Sequence, residues 1–120
     1  MTTEDFVTFP TARLLKEKGF NTPVTCYYNA DGTSMRSEPE YNWNVGPFFS
    51  KPTLQTACKW LREEKKYFID IHNWSGEGYT YEFVDLRNIH HLPSNNCCRP
   101  LPTYEEACEE AIKYCLERLV

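Results

Sequence analysis

The stretch YFIDIHNWSGEGYTYEFVDL, residues 67–86, constrains the fold more than any other part of the sequence. Two runs of β-branched and aromatic residues flank Gly76 and Glu77, a pattern typical of an antiparallel hairpin. Because side chains alternate between the two faces of a strand, the register of the hairpin decides which of them reach a core. A two-residue turn at Gly76 and Glu77 predicts three cross-strand pairs on one face: Asp70 with Phe83, His72 with Tyr81, and Trp74 with Tyr79.

This register gives the hairpin two different faces. One face is apolar, with Ile69, Ile71, Val84 and Leu86, and is expected to pack against helices. The other face carries aromatic rings with a carboxylate and an imidazole among them, and we refer to it as the predicted aromatic face.

An earlier hairpin is predicted over residues 23–36, where Asp31 and Gly32 provide a favoured two-residue turn. A turn of that length places Tyr28 opposite Met35. The core is expected to receive Val24, Cys26, Tyr28 and Met35 from this hairpin, and the predicted aromatic face to receive Thr25, Tyr27, Ser34 and Arg36.

Three helices are predicted from apolar residues spaced three and four apart. The first covers roughly residues 8–18 and the second roughly residues 53–65. The third begins after a capping box formed by Thr103 and Glu106 and runs to the C-terminus. Its buried stripe is expected to contain Tyr104, Ala107, Cys108, Ala111, Ile112, Cys115, Leu116 and Leu119.

Together these elements predict an α+β domain of two layers. Its order is α-ββ-α-ββ-α, with about four antiparallel strands from two hairpins in one sheet and three helices packed on that sheet. A single domain over residues 1–120 is expected from the length. No apolar run is long enough to cross a membrane and the N-terminus has no signal-peptide pattern, so a cytoplasmic protein without membrane contact is expected.

Two predicted helix starts resemble each other. PTLQTAC (52–58) and PTYEEAC (102–108) share Pro, Thr, Ala and Cys at the same four positions, and each follows a hairpin and a long loop. An internal duplication explains this match. Convergence explains it as well, because Pro-Thr is a common helix start and small residues suit a packed stripe. The sequence leaves both explanations open.

Residues 88–100, NIHHLPSNNCCRP, contain the side-chain types that bind zinc. The pairs His90-His91 and Cys97-Cys98 are adjacent, however, whereas paired zinc ligands are usually about two to four residues apart. The segment is therefore interpreted as a loop, and neither a metal nor another cofactor is expected. No nucleophile motif and no phosphate-binding glycine pattern occurs, which favours a protein that is not an enzyme.

The six cysteines are expected to be reduced thiols, since the disulfide framework of a secreted protein needs a context that this sequence does not indicate. Cys58, Cys108 and Cys115 fall in helix stripes, where cysteine behaves as a small apolar side chain.

The predicted aromatic face is the candidate binding surface. Because Tyr, Trp and Arg are enriched at protein interfaces, the sequence favours a small interaction module that binds a protein partner or a second copy of itself. The candidate binding residues are Tyr27, Arg36, Asp70, His72, Trp74, Tyr79 and Tyr81.

Two alternatives stay open. A single-stranded nucleic-acid binder would stack bases on the same face, although a net charge of −4 disfavours it. Its basic contribution would come from a stripe on the middle helix: Gln55, Lys59, Arg62 and Lys66. A thiol or metal-dependent enzyme is the less favoured alternative. The long loops, residues 38–52 and 87–102, could also cover the aromatic face with their own rings: Tyr41, Trp43, Phe48 and Phe49.

Four segments resemble a family of small proteins from gut anaerobic bacteria and their phages and mobile elements. They are FPTARLLKEKGF (9–20), CYYNADG (26–32), ACKWLREE (57–64) and YEEACEEAIKYCLERL (104–119), and the similarity extends over nearly the whole chain. The resemblance implies one cytoplasmic domain with an origin in a phage or mobile element. It implies no activity, cofactor or catalytic residue.

Overall fold

The computed structural model describes residues 5–73, 75–92 and 100–120. The helices are α1 (Phe9–Glu17), α2 (Leu54–Glu64) and α3 (Tyr104–Tyr114), and α3 continues into a π-helical segment, Cys115–Leu119. The first three strands, between α1 and α2, are β1 (Val24–Tyr28), β2 (Ser34–Tyr41) and β3 (Phe49–Ser50). The last three, between α2 and α3, are β4 (Tyr67–Asn73), β5 (Tyr79–Asp85) and β6 (His90–Leu92). The predicted α+β class is confirmed. None of the helices in the described ranges is long and apolar enough to cross a membrane.

The predicted single sheet of four strands is wrong, because the strands form two antiparallel sheets of three. Their strand orders are β2-β1-β3 and β4-β5-β6. The additional strands, β3 and β6, come from the two long loops that follow the hairpins. Each gives hydrogen-bond partners to a strand edge that would otherwise be free, which satisfies backbone groups that folding removes from water.

The two helix starts that share PT and AC have the same local structure. Thr53 Oγ1 accepts a hydrogen bond from Thr56 N at 3.1 Å, and Thr103 Oγ1 accepts one from Glu106 N at 3.0 Å. The preceding sheets differ, because β3 pairs with the first strand of its hairpin and β6 pairs with the second. The shared helix start therefore has no counterpart in the strand order, which favours convergence over duplication.

Both hairpins have a longer loop than predicted. Asn73 pairs with Tyr79 and Tyr28 pairs with Ser34, so five residues separate the last strand pair of each hairpin. Side chains hold the longer loops: Asn73 Oδ1 accepts from Gly76 N at 2.8 Å, and Asp31 Oδ1 accepts from Thr33 N at 2.9 Å.

The longer loop shifts the register of β4 against β5 by one residue. His72 lies opposite Thr80 and Asp70 opposite Glu82, so the predicted pairing of these two residues with aromatic rings is wrong. Ile71 instead lies opposite Tyr81, and Ile69 opposite Phe83. A shift of one residue exchanges the faces of a strand, which is why the aromatic side chains of β5 now point toward the core.

The same shift in the first hairpin changes one core assignment. Val24, Cys26 and Tyr28 are buried, as predicted. Met35 lies opposite Tyr27 and is 40% exposed, so its predicted place in the core is wrong.

Helix α3 supplies the centre of the core. Its stripe is buried as predicted from Ala107 to Leu116, whereas Tyr104 at the first turn is 40% exposed. The rings of β5 pack beside this helix: Phe83 stacks on Tyr114 with the centroids 5.5 Å apart, and Tyr81 lies 6.3 Å from Tyr114. Helix α3 packs on β4 and β5, and also on α1 and α2.

A carboxylate on α3 caps the start of α1. Thr8, the N-cap of α1, makes no cap within its own helix. Glu109 instead accepts from Thr8 N at 3.2 Å and from Thr8 Oγ1 at 2.7 Å, and Thr11 Oγ1 also donates to it. A negative charge is favourable at a helix N-terminus, so this contact satisfies free donors of α1 and fixes it against α3.

Replacing Tyr81 tests the register. Tyr81 is 2% exposed, so Tyr81→Ala should leave a cavity and lower the free energy of unfolding by about 3–5 kcal/mol. Phe68 lies on the opposite face and is 38% exposed, so Phe68→Ala should cost less than about 1 kcal/mol. Urea denaturation of both variants measures the difference. The predicted register puts both rings on one face, and equal losses would support that register instead.

Replacing Glu109 tests the cap. Glu109→Ala removes the acceptor of three hydrogen bonds from α1 and should lower the free energy of unfolding by about 1–3 kcal/mol. Its neighbour Glu110 is exposed and provides the matched control, since Glu110→Ala should change stability by no more than about 0.5 kcal/mol. Denaturant midpoints that fall equally in the two variants would show that the charge, and not the cap, is responsible.

Candidate functional site

The predicted binding residues of the first sheet lie on opposite faces. Arg36 pairs with Cys26, which faces the core, and the Arg36 Nη1 atom lies 4.0 Å from Cys26 Sγ. Tyr27 faces away from the core and lies under aromatic rings of the following loop. These two side chains therefore do not form one surface.

The predicted residues of the second sheet are also divided. Asp70 and His72 lie on the outer face of the sheet. Tyr79 and Tyr81 lie on the face toward α3, where the ring of Tyr79 is 6.0 Å from that of Tyr104. Trp74 lies outside the described residues. The expected continuous aromatic face is therefore absent from the described part of the second sheet.

The loop after β2 covers the outer aromatic residue of the first sheet. Tyr27 stacks on Trp43 with centroids 4.0 Å apart and an interplanar angle of 18°. Phe48 and Tyr41 pack against Trp43 edge-on, at 6.0 Å and 5.1 Å. Rings after β1 thus cover Tyr27, and Tyr41 remains 53% exposed at their margin. Phe49, the fourth ring considered for this cover, packs instead against Phe9, with the centroids 5.4 Å apart.

The outer face of the second sheet contains a polar cluster of Asp70, His72 and Glu82. One ligand atom from each residue lies within 4.8 Å of the others. His72 Nε2 is 2.9 Å from Thr80 Oγ1, which fixes the orientation of the ring. An imidazole and two carboxylates can bind a divalent cation, but the two acidic residues are exposed and such groups commonly stand near each other without one.

This cluster is not predicted by the sequence pattern, because a two-residue turn gives the wrong register. A two-residue turn pairs Asp70 with Phe83, whereas the structure pairs Asp70 with Glu82. The two histidines of the segment considered for zinc, His90 and His91, are exposed on β6. The cysteines considered with them, Cys97 and Cys98, lie outside the described residues.

A groove with acidic walls, which the sequence pattern does not predict, follows one side of α3. Apolar groups line part of it, including Phe6, Leu54, Leu101, Tyr81 and Tyr114. Its charged lining consists of six carboxylates and a lysine: Asp5, Glu105, Glu106, Glu109, Glu110, Glu117 and Lys113. The spacing of the glutamates was visible in the sequence, but only the packing of residues 5–10 and 101–102 beside α3 makes that face concave.

The pKa of one aromatic residue of the groove, Tyr81, is raised mainly by burial. Burial, together with the negative charge of Glu110 and the neighbouring Tyr114, raises the pKa of Tyr81 to about 12. The hydroxyl of Tyr81 is therefore neutral at physiological pH. In that state it can act as a hydrogen-bond donor or acceptor in the groove.

The predicted basic stripe of α2 lies in a different environment. Lys59 lines a second cleft, together with Arg36 and Lys51. Three carboxylates line the same cleft: Glu40, Glu63 and Glu64. The charges in this cleft are balanced, so it is not a strongly basic surface.

No protein-family model, no curated protein and no solved structure matches this chain.

The facing carboxylates of Asp70 and Glu82 give a test for a bound cation. No Lys or Arg side chain in the described ranges forms an ion pair with either residue. Like charges directly opposite each other on neighbouring strands are unfavourable, so Glu82→Gln should raise the free energy of unfolding by about 0.2–1 kcal/mol. Thermal melts in EDTA and in zinc measure this, with Glu77→Gln in the hairpin loop as the control.

The sign of the change in stability shows whether the cluster of Asp70, His72 and Glu82 holds a cation. We expect the stabilisation to be the same in EDTA and in zinc, since the sequence predicts no metal. A Glu82→Gln variant that is less stable than the original chain in zinc, and not in EDTA, would contradict this and show a bound cation.

Proposed function

We propose that this protein is a small cytoplasmic interaction module that binds a basic segment of a protein partner in the acidic groove of α3. The observation that carries the proposal is the combination of apolar groups with six carboxylates in one concave surface. The proposed binding surface is therefore this groove, which Tyr81 lines, and not the predicted aromatic face, whose rings on β5 are buried.

The distribution of charge supports a basic partner. Glu109 is already engaged by Thr8 and Thr11, which leaves five carboxylates of the lining for a ligand. Lys113 is the single cation of the lining among the described residues. Carboxylates along a groove attract a Lys- or Arg-containing chain and guide its approach, and the charge pairs set its orientation.

The apolar lining supports a protein ligand over a free cation or a polyamine. Tyr114, Leu101 and Phe6 are each partly exposed beside the carboxylates. Apolar and aromatic contact area gives most of the affinity at the centre of a protein interface, whereas charged groups at its rim act mainly on the association rate. A segment with alternating basic and apolar side chains fits both parts of the groove.

The same charges oppose the nucleic-acid alternative. Phosphates would meet repulsion along α3, and the cleft that contains Lys59 has as many carboxylates as cations. Nucleic-acid binding of useful affinity requires a surface on which positive charge dominates. The groove therefore favours a basic peptide over an oligonucleotide.

Selection from a displayed library of random peptides tests the proposal. We expect the enriched peptides to contain Lys or Arg together with apolar residues, and their binding to weaken as salt is added. Glu106→Gln/Glu110→Gln removes two charges one helical turn apart on the groove and should weaken binding about tenfold or more, which corresponds to roughly 1.4 kcal/mol. Fluorescence anisotropy of one synthesised peptide measures the change.

The matched control is Glu63→Gln/Glu64→Gln on α2, which removes the same charge from outside the groove. This variant should bind the peptide with nearly unchanged affinity. An equal loss in both variants would indicate non-specific attraction to a negative protein and would contradict the proposal. A labelled single-stranded oligonucleotide that binds where no basic peptide does would favour the nucleic-acid alternative.

A further inference from the structure

Two cysteines with no role in the groove meet between α2 and α3. The Sγ atoms of Cys58 and Cys108 are 3.5 Å apart, although the residues are fifty positions apart in the sequence. Both are thiols in the structure. We propose that Cys58 and Cys108 form a dithiol site that a hydroperoxide oxidises to a disulfide.

The shared helix start explains why these two sulfur atoms meet. Each cysteine is the fifth residue of its helix, counted from Leu54 in α2 and from Tyr104 in α3. An alanine precedes each one, and Ala57 and Ala107 are both fully buried. Small side chains at the crossing allow the helix backbones to approach closely, and the cysteines follow directly.

The surroundings of the two thiols differ, which assigns them different roles. Cys108 is 1% exposed, whereas Cys58 is half-buried, so a reagent from solvent reaches Cys58 first. The hydrogen bond with Cys108 and the charge of Arg62 lower the pKa of the Cys58 thiol against the opposing effect of burial. The same hydrogen bond, burial and the nearby Glu109 and Glu105 raise the pKa of the Cys108 thiol. Cys58 therefore loses its proton more readily than Cys108, and its thiolate is the nucleophile of the pair.

The reaction has two balanced steps. The Cys58 thiol gives its proton to solvent, and the thiolate attacks one oxygen of hydrogen peroxide. The O–O bond breaks, the released hydroxide takes a proton back from solvent and becomes water, and a sulfenic acid is left on Cys58. The Cys108 sulfur then attacks the Cys58 sulfur, the S–O bond breaks, and the hydroxide leaves as water with the proton of Cys108. Two thiols are oxidised, one peroxide is reduced, and a disulfide and two waters are formed.

Other described cysteines lack this arrangement. Cys115 is fully buried, and burial raises the pKa of its thiol to about 12. Cys26 is buried in the first sheet, with Thr25 and Arg36 as its polar neighbours. Neither has another cysteine sulfur among its hydrogen-bond partners in the described ranges, so both serve as internal controls.

Peptide mapping of the complete protein after treatment with hydrogen peroxide tests the proposal. Chymotrypsin releases residues 55–60 with Cys58 and residues 105–114 with Cys108, which separates Cys108 from Cys97 and Cys98. We expect a disulfide-linked pair of these two peptides, and a reductant should regenerate the free thiols. The oxidised protein should melt on the order of 10 °C above the reduced protein, because the bond restricts the unfolded chain.

Variants separate the two roles. Cys108→Ser should stop the reaction at the sulfenic acid of Cys58, which dimedone labels, while Cys58→Ser should abolish labelling at this site. Cys115→Ser should leave the linked peptides unchanged. The mapping uses the unaltered chain, so the result does not depend on whether a variant folds. Peroxide that oxidises other cysteines while Cys58 and Cys108 stay reduced, or that links either of them to a different cysteine, would overturn the proposal.

Discussion

The close packing of α3 against α1, α2, β4 and β5 is the constraint on which the rest of the structure depends. Small side chains make it feasible, since Ala107, Cys108, Ala111 and Cys115 occupy four positions of the buried stripe. Large aromatic side chains of the sheet fill the space beside these small helix side chains, so the interface is closely packed. Phe83 of β5 illustrates this, because it is fully buried and stacks on Tyr114 of α3.

The helices could be predicted from the sequence because each repeats its signal over several turns. Thr53 and Thr103 mark two starts through side chains that bond their own helices, a local interaction that does not depend on the rest of the fold. The four long strands could be predicted for a similar reason. The short strands β3 and β6 could not, because two or three residues contain no period and their pairing depends on which edge lies nearby.

Register was the quantity that local patterns could not determine. Asp31-Gly32 and Gly76-Glu77 both favour two-residue turns, yet the side chains of Asp31 and Asn73 bond within longer loops. The difference is one residue of pairing in each hairpin, which exchanges the faces of one strand. Tyr81 thereby moved from a predicted ligand surface to the core. The polar cluster of Asp70, His72 and Glu82 arose from the same shift.

The period of α3 explains how one helix contributes to the core, to the groove and to the cysteine pair. Its buried stripe holds positions 107, 108, 111, 112, 115 and 116, whereas the groove uses 105, 106, 109, 110, 113, 114 and 117. The sequence shows these as an apolar and an acidic face, and a helix of that kind usually has solvent on its acidic side. Only the fold shows that residues before α1 and α3 lie beside the acidic face, and that Glu109 on this face caps α1. Cys108 lies on the buried stripe, so oxidation would fasten α2 to the core side of α3 while the acidic side stays open to a ligand. The two proposed properties therefore use the same helix without competing for the same surface.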